Sequence, residues 1–104
     1  MTAADENRQI ANTILAQVGT IVRGCLDMGR NCYVIDRGVI AKQAIVGHTE
    51  QRMVRGDIEI TLNGSDLYDI KLTRNTKAKG AHTVKEWHDV SASELRATLD
   101  SIWR

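Results

Sequence analysis

Two cysteines, Cys25 and Cys32, are all that this chain of 104 residues carries, too few for a disulfide scaffold. No apolar run approaches the roughly 20 residues needed to span a bilayer, so no membrane partner is expected. Excess charge of one sign is missing too. Fourteen Lys and Arg against thirteen Asp and Glu leave a formal +1, which gives no global field to attract nucleic acid or an anionic membrane. The start, MTAADENRQIANTILAQ, lacks the basic residues and continuous apolar core of a secretion signal; a reducing cytoplasm is the expected compartment. Nucleophile elbow, P-loop, dinucleotide fingerprint and H-E-x-x-H are all lacking, so neither catalysis nor a cofactor is expected. Proline and phenylalanine are absent, and nothing in the pattern explains either.

What is present describes an ordinary globular domain. A hydrophobic share of 42% with 26% charged residues suits a soluble fold that buries a modest core by itself, and residues 1–104 read as one domain. In TAADENRQIANTILAQVG, residues Ile10, Ile14, Leu15 and Val18 recur at helical spacing, with acids in the first turn and Gly19 where a helix would end. TIVRGCLDM, NCYVI and VIAKQAIV are short β-type runs, and Asp36 to Gly38 is a turn signal between the last two. The polar segment GHTEQRMVRG, Gly47 to Gly56, shows no clean period and reads as a loop.

The most legible stretch is GDIEITLNGSDLYDIKLTR, a β-hairpin about Asn63-Gly64. A two-residue turn would set Ile58 against Asp69 and put a charge on the apolar face. A loop of three or five residues instead places Ile58, Ile60 and Leu62 on one face with Tyr68, Ile70 and Leu72, because side chains alternate and one residue of slip reverses a strand. Glu59, Thr61, Asp69 and Lys71 then face outward, and Asp66 is expected to accept hydrogen bonds within the turn. NTKAKGAH reads as a loop and HTVKEWHDV as a last strand. Ser91 with Glu94 is a capping-box pattern, with Val90 and Leu95 as its hydrophobic staple. Leu95, Leu99, Ile102 and Trp103 mark one face of a final helix. The expected fold is α+β: a mostly antiparallel sheet of four to six strands, with an N-terminal and a C-terminal helix packed on it.

Candidate chemistry is thin. Cys25, Cys32, His82 and His88 have the residue types of a zinc site, yet neither pair has ligand spacing, and no metal is expected. His88 and Asp89 with a cysteine have the types for nucleophilic catalysis, but sequence neighbours on a strand alternate faces. From Lys71 to Lys85 five basic residues occur with no acid: Lys71, Arg74, Lys77, Lys79 and Lys85. Arg74, Lys77, Lys79 and Lys85, with Arg52 and Arg55, would suit phosphates, though no aromatic residue is interleaved for base stacking.

The segments QIANTILAQVG, DMG at Asp27 to Gly29 and ITLNGSDLYDIKL, in that order, resemble small uncharacterised proteins of tailed phages and prophages. The resemblance implies a phage-derived protein in bacterial cytosol that occupies a surface on a host or phage protein, inhibitors of host defence such as anti-CRISPR proteins being one such type. The leading expectation is thus a non-enzymatic binding protein, with its contact surface on the Gly47 to Gly56 loop or around Glu59, Thr61, Asp69 and Lys71. Nucleic-acid binding through the basic segment is the alternative, and homodimerisation stays open.

Overall fold

The structure, a computed structural model, describes residues 3–18, 32–48 and 53–102. Helix α1 (Ala3–Val18) precedes strands β1 (Cys32–Ile35), β2 (Gly38–His48), β3 (Met53–Leu62), β4 (Tyr68–Thr76) and β5 (Gly80–Val90), and α2 (Ala92–Ile102) follows them. The five strands form one antiparallel sheet in sequence order. This is the α+β arrangement that the residue pattern dictates. TIVRGCLDM, Cys25, Arg52 and Trp103 lie outside the described residues.

The central hairpin sets the faces. Ile58 stands opposite Leu72, Ile60 opposite Ile70 and Leu62 opposite Tyr68, so the loop has the odd length that keeps all six on one side. Asn63 holds the bend: its Oδ1 accepts the N–H groups of Ser65 at 2.8 Å and Leu67 at 3.2 Å. The turn acceptor is therefore Asn63 rather than the expected Asp66, which instead donates its N–H to the Asn63 carbonyl at 3.2 Å and sits at φ 58°.

Two segments expected as loops are largely strand. Gly47 pairs with Val54 and His48 with Met53, so most of Gly47 to Gly56 extends β2 and β3. In NTKAKGAH, Asn75 pairs with Ala81 and Thr76 with Gly80, leaving a three-residue loop that Gly80 closes at φ 66°, a conformation glycine adopts without cost. Ladder hydrogen bonds use backbone groups, so polar side chains on a protruding hairpin do not end a strand.

The helices cover the inner face. Ala11 and Ile14 of α1 and Leu95, Leu99 and Ile102 of α2 close over Val39, Ala41, Ile58, Ile60, Tyr68, Ile70 and Leu72. At the start of α2, Glu94 N–H donates to the Ser91 carbonyl at 3.0 Å while the Ser91 hydroxyl meets that of Ser93 at 3.1 Å. The expected side-chain capping box gives way to this arrangement. Lengths differ: eleven residues make about 16 Å of helix but about 36 Å of strand, and the molecule measures 46 × 26 × 26 Å. The sheet therefore overhangs α2.

The Asp36-Arg37 turn between β1 and β2 is tied down by Arg37, which sits at φ 58°. Its N–H donates to Asn7 Oδ1 at 2.9 Å, its Nε to the Leu62 carbonyl at 3.1 Å and its Nη1 to Glu6 at 3.3 Å, while Leu62 N–H donates to the Arg37 carbonyl at 2.8 Å. Arg37→Ala is expected to cost about 1–2 kcal/mol in chemical denaturation. Arg37→Gly should cost about 1 kcal/mol less, because it relieves the left-handed backbone.

Candidate functional site

The two faces of the sheet differ in how their charges are matched. Across the outer face runs the row Tyr33, Ile40, Glu59, Lys71 and Glu86, one residue per strand. Lys71 thus stands between two glutamates, and Thr61 stands opposite Asp69. Glu59, Thr61, Asp69 and Lys71 are brought together as expected.

Asp57 and Asp69 on this face share one structural task. Buried Ala41 and Ala44 are three residues apart, which a regular strand would send to opposite faces; a bulge reconciles them, with Lys42 and Gln43 facing the single residue Asp57. Asp57 accepts Lys42 Nζ at 3.1 Å and the Gln43 N–H at 3.4 Å, Gln43 being at φ 55°. Trp87 and Val90 pose the same parity problem, and there His88 and Asp89 face Asp69. Asp69 Oδ1 accepts the Asp89 N–H and Asn63 Nδ2, both at 3.2 Å, and lies 3.5 Å from His88 Nδ1; Asp89 is at φ 58°. Asn63 Nδ2 also reaches Asp89 at 2.9 Å. The bulge is what draws His88 and Asp89 toward one carboxylate.

Burial tends to raise the Asp69 carboxyl, but the hydrogen bonds from Asn63 and the Asp89 N–H, with His88 beside it, outweigh burial and hold it below the usual aspartate range. A carboxyl depressed on folding stabilises the protein above the unfolded-state value of about 3.9, and that stabilisation is lost as pH falls through the lower folded value. The stability deficit of Asp69→Asn should therefore be largest near neutrality and shrink below about pH 4, as measured by urea denaturation across pH.

The inner face changes character beyond the helices. In the row Val39, Ile60, Ile70 and Trp87 all members are apolar; in the next, Ala41, Ile58 and Leu72 end in Lys85; in the row after, Ala44 and Gly56 lead to Arg74 and His82. Gly56 makes the last row feasible, since a Cβ there would fall 3.1 Å from Arg74 Cγ and 2.2 Å from the Thr73 carbonyl. A shallow cleft of about 420 Å³ results, lined by Val46, Val54, Arg74, Lys79, His82 and Val84. It adjoins a second of about 240 Å³ that runs past Lys85 and Trp87 to Ile102 at the end of α2. Among the described residues, no carboxylate forms a salt bridge with Arg74, Lys79 or Lys85.

The remaining candidates fall elsewhere. Arg55 is on the outer side, where its Nη1 donates to the Gln43 carbonyl at 2.9 Å, and Lys77 is exposed at the hairpin tip. Cys32 is buried in β1 while His82 and His88 are on β5. Three strands lie between them, which at about 4.8 Å per strand is roughly 19 Å, so these residues form neither a metal set nor a nucleophilic centre.

Sequence reasoning missed Val46, Val54, Val84 and Trp87. Trp87 packs on the core, and Lys85 Nζ sits 4.8 Å from its ring centroid. The signal was parity: Lys85 and Trp87, two apart, share a face.

No helix among the described residues is long and apolar enough to cross a membrane. No family model, curated protein or solved structure matches the chain.

Proposed function

We propose that the protein is a non-enzymatic binding module that holds another protein, with the inner-face cleft as its contact surface. The observation that carries this is the contrast between the two faces. Outside, Glu59, Lys71 and Glu86 alternate across the strands and Asp57 and Asp69 are engaged in bulges. Inside, Arg74, Lys79 and Lys85 surround open apolar surface, and among the described residues no carboxylate forms a salt bridge with them. An apolar centre with a polar rim is the usual anatomy of a protein interface, and Val84, 45% exposed, supplies apolar area to its centre. Origin in a phage or prophage, action in bacterial cytosol and a host defence factor as partner belong to the same proposal; they rest on the segments at 9–19, 27–29 and 60–72.

Nucleic-acid binding has less to support it. Arg55 is turned to the opposite face, and Trp87 offers no free ring face for a base, since it lies between the core and Lys85. Affinity purification of the tagged protein from bacterial lysate, split into nuclease-treated and untreated halves, tests the choice. A protein retained at stoichiometric level in both halves is the expected result. A nucleic-acid signal lost on treatment, with no protein retained, would overturn it.

A further inference from the structure

We infer that the cleft takes an extended acidic segment of the partner protein, which presents carboxylates to Arg74, Lys79 and Lys85 and one apolar side chain to the valines between them. The inference rests on the binding-module proposal and names what that module recognises.

Three observations select this occupant. Charge comes first: three cations stand around the cleft, two on β4 and β5 and one in the loop joining them, with His82 between. A segment bearing carboxylates gains from all three, and a basic or neutral one gains from none. Size comes second. About 420 Å³ holds one or two side chains and excludes a whole helix, which is 10–12 Å across with its side chains. Val46, Val54 and Val84 line the apolar part of that space, beside the polar Arg74, Lys79, His82 and Thr83, so the one group that packs against the valines is aliphatic.

The strand edge comes third. β5 ends the sheet among the described residues, and its Gly80–Val90 span would invite strand addition. Register shifts interrupt its ladder between Leu72 and Thr73 and between Tyr68 and Ile70, at the Val84 and His88-Asp89 bulges, and bulges of this kind blunt an edge against pairing. The occupant is therefore held by its side chains across the inner face, not by backbone pairing along β5.

The test is an NMR titration of the whole chain with a capped eight-residue peptide carrying two leucines, four carboxylates and two glycines. Its twin has lysines in place of the carboxylates, and a twelve-residue oligothymidine is the third probe. The acidic peptide should shift the methyl signals of Val46, Val54 and Val84 and the indole of Trp87, with affinity falling as salt rises, and the lysine twin should not. Arg74→Glu combined with Lys85→Glu should weaken the acidic peptide at least about tenfold. Should that variant unfold, Lys79→Glu, placed in the loop, carries the same prediction at about threefold. Equal shifts from the lysine twin, tighter binding of oligothymidine, or shifts mapping to Ile40 and Thr61 would each overturn the inference. If the acidic peptide leaves the cleft unmoved while the double variant still loses its lysate partner, the occupant is wrong and the binding module stands. If the double variant, folded, keeps that partner, the module reading itself fails.

Discussion

Gly38→Ala is expected to lower stability by about 3 kcal/mol and the melting temperature by about 15 °C. A Cβ at Gly38 would stand 2.0 Å from the Ile60 carbonyl oxygen and 2.8 Å from Thr61 Cα. Both are backbone atoms of the paired strand, with no rotamer to give way, so β2 and β3 must separate where the register of the whole sheet is set. Gly47 is the control on the same strand. Nothing lies within 4 Å of its would-be Cβ, and Gly47→Ala should change stability by less than about 1 kcal/mol in either direction. Parallel thermal melts of the two variants separate close strand approach from a general intolerance of glycine replacement.

Ile60→Ala should cost about 4 kcal/mol, the largest effect of a single core truncation expected here. Ile60 is fully buried, flanked across the strands by Val39 and Ile70, and roofed by the helices, so the cavity left behind has rigid walls on every side. Its neighbour Glu59 faces outward, and Ile40, opposite Glu59, is half-buried on the outer face. Ile40→Ala should therefore cost under about 1 kcal/mol. Urea denaturation of Ile60→Ala and Ile40→Ala gives the contrast, and similar losses at the two positions would contradict the assignment of faces.

That assignment was legible because alternation in ITLNGSDLYDIKL leaves only odd loops, and five residues between Leu62 and Tyr68 satisfy it. The final helix was legible for the same kind of reason, with Leu95, Leu99 and Ile102 at helical spacing and all buried. Bulges hid the rest. Ala41 with Ala44, and Trp87 with Val90, break the two-residue period, so a reader of the sequence loses the face at each bulge, and the polar side chains of GHTEQRMVRG and NTKAKGAH make those segments read as loops. The partners that make the bulges workable, Asp57 and Asp69, are distant in sequence from Gln43 and Asp89, whose N–H groups they accept. Arg37 was invisible for a related reason: its contacts reach back to Glu6 and Asn7 and forward to Leu62.

The candidate site was half legible. Arg74, Lys79 and Lys85 were marked by the acid-free run, but their common face depends on the Val84 bulge, which carries Lys85 and Trp87 to the inner side along with Arg74 and His82. The outward residues Glu59, Thr61, Asp69 and Lys71 were placed correctly in space. What the structure adds is that Asp69 is a bulge clamp and that Lys71 is flanked by Glu59 and Glu86, whereas among the described residues no carboxylate forms a salt bridge with Arg74, Lys79 or Lys85 at the inner cleft.

The most direct measurement is therefore a comparison of surfaces. Three tagged proteins are passed over the same nuclease-treated bacterial lysate: the wild type, Arg74→Glu with Lys85→Glu on the inner face, and Glu59→Lys with Lys71→Glu on the outer face, each first shown to melt cooperatively. The account predicts that the outer-face variant retains the wild-type partner and the inner-face variant loses it. Retention by the inner-face variant with loss by the outer-face variant would contradict it, and would move the contact surface to the exposed side of the hairpin.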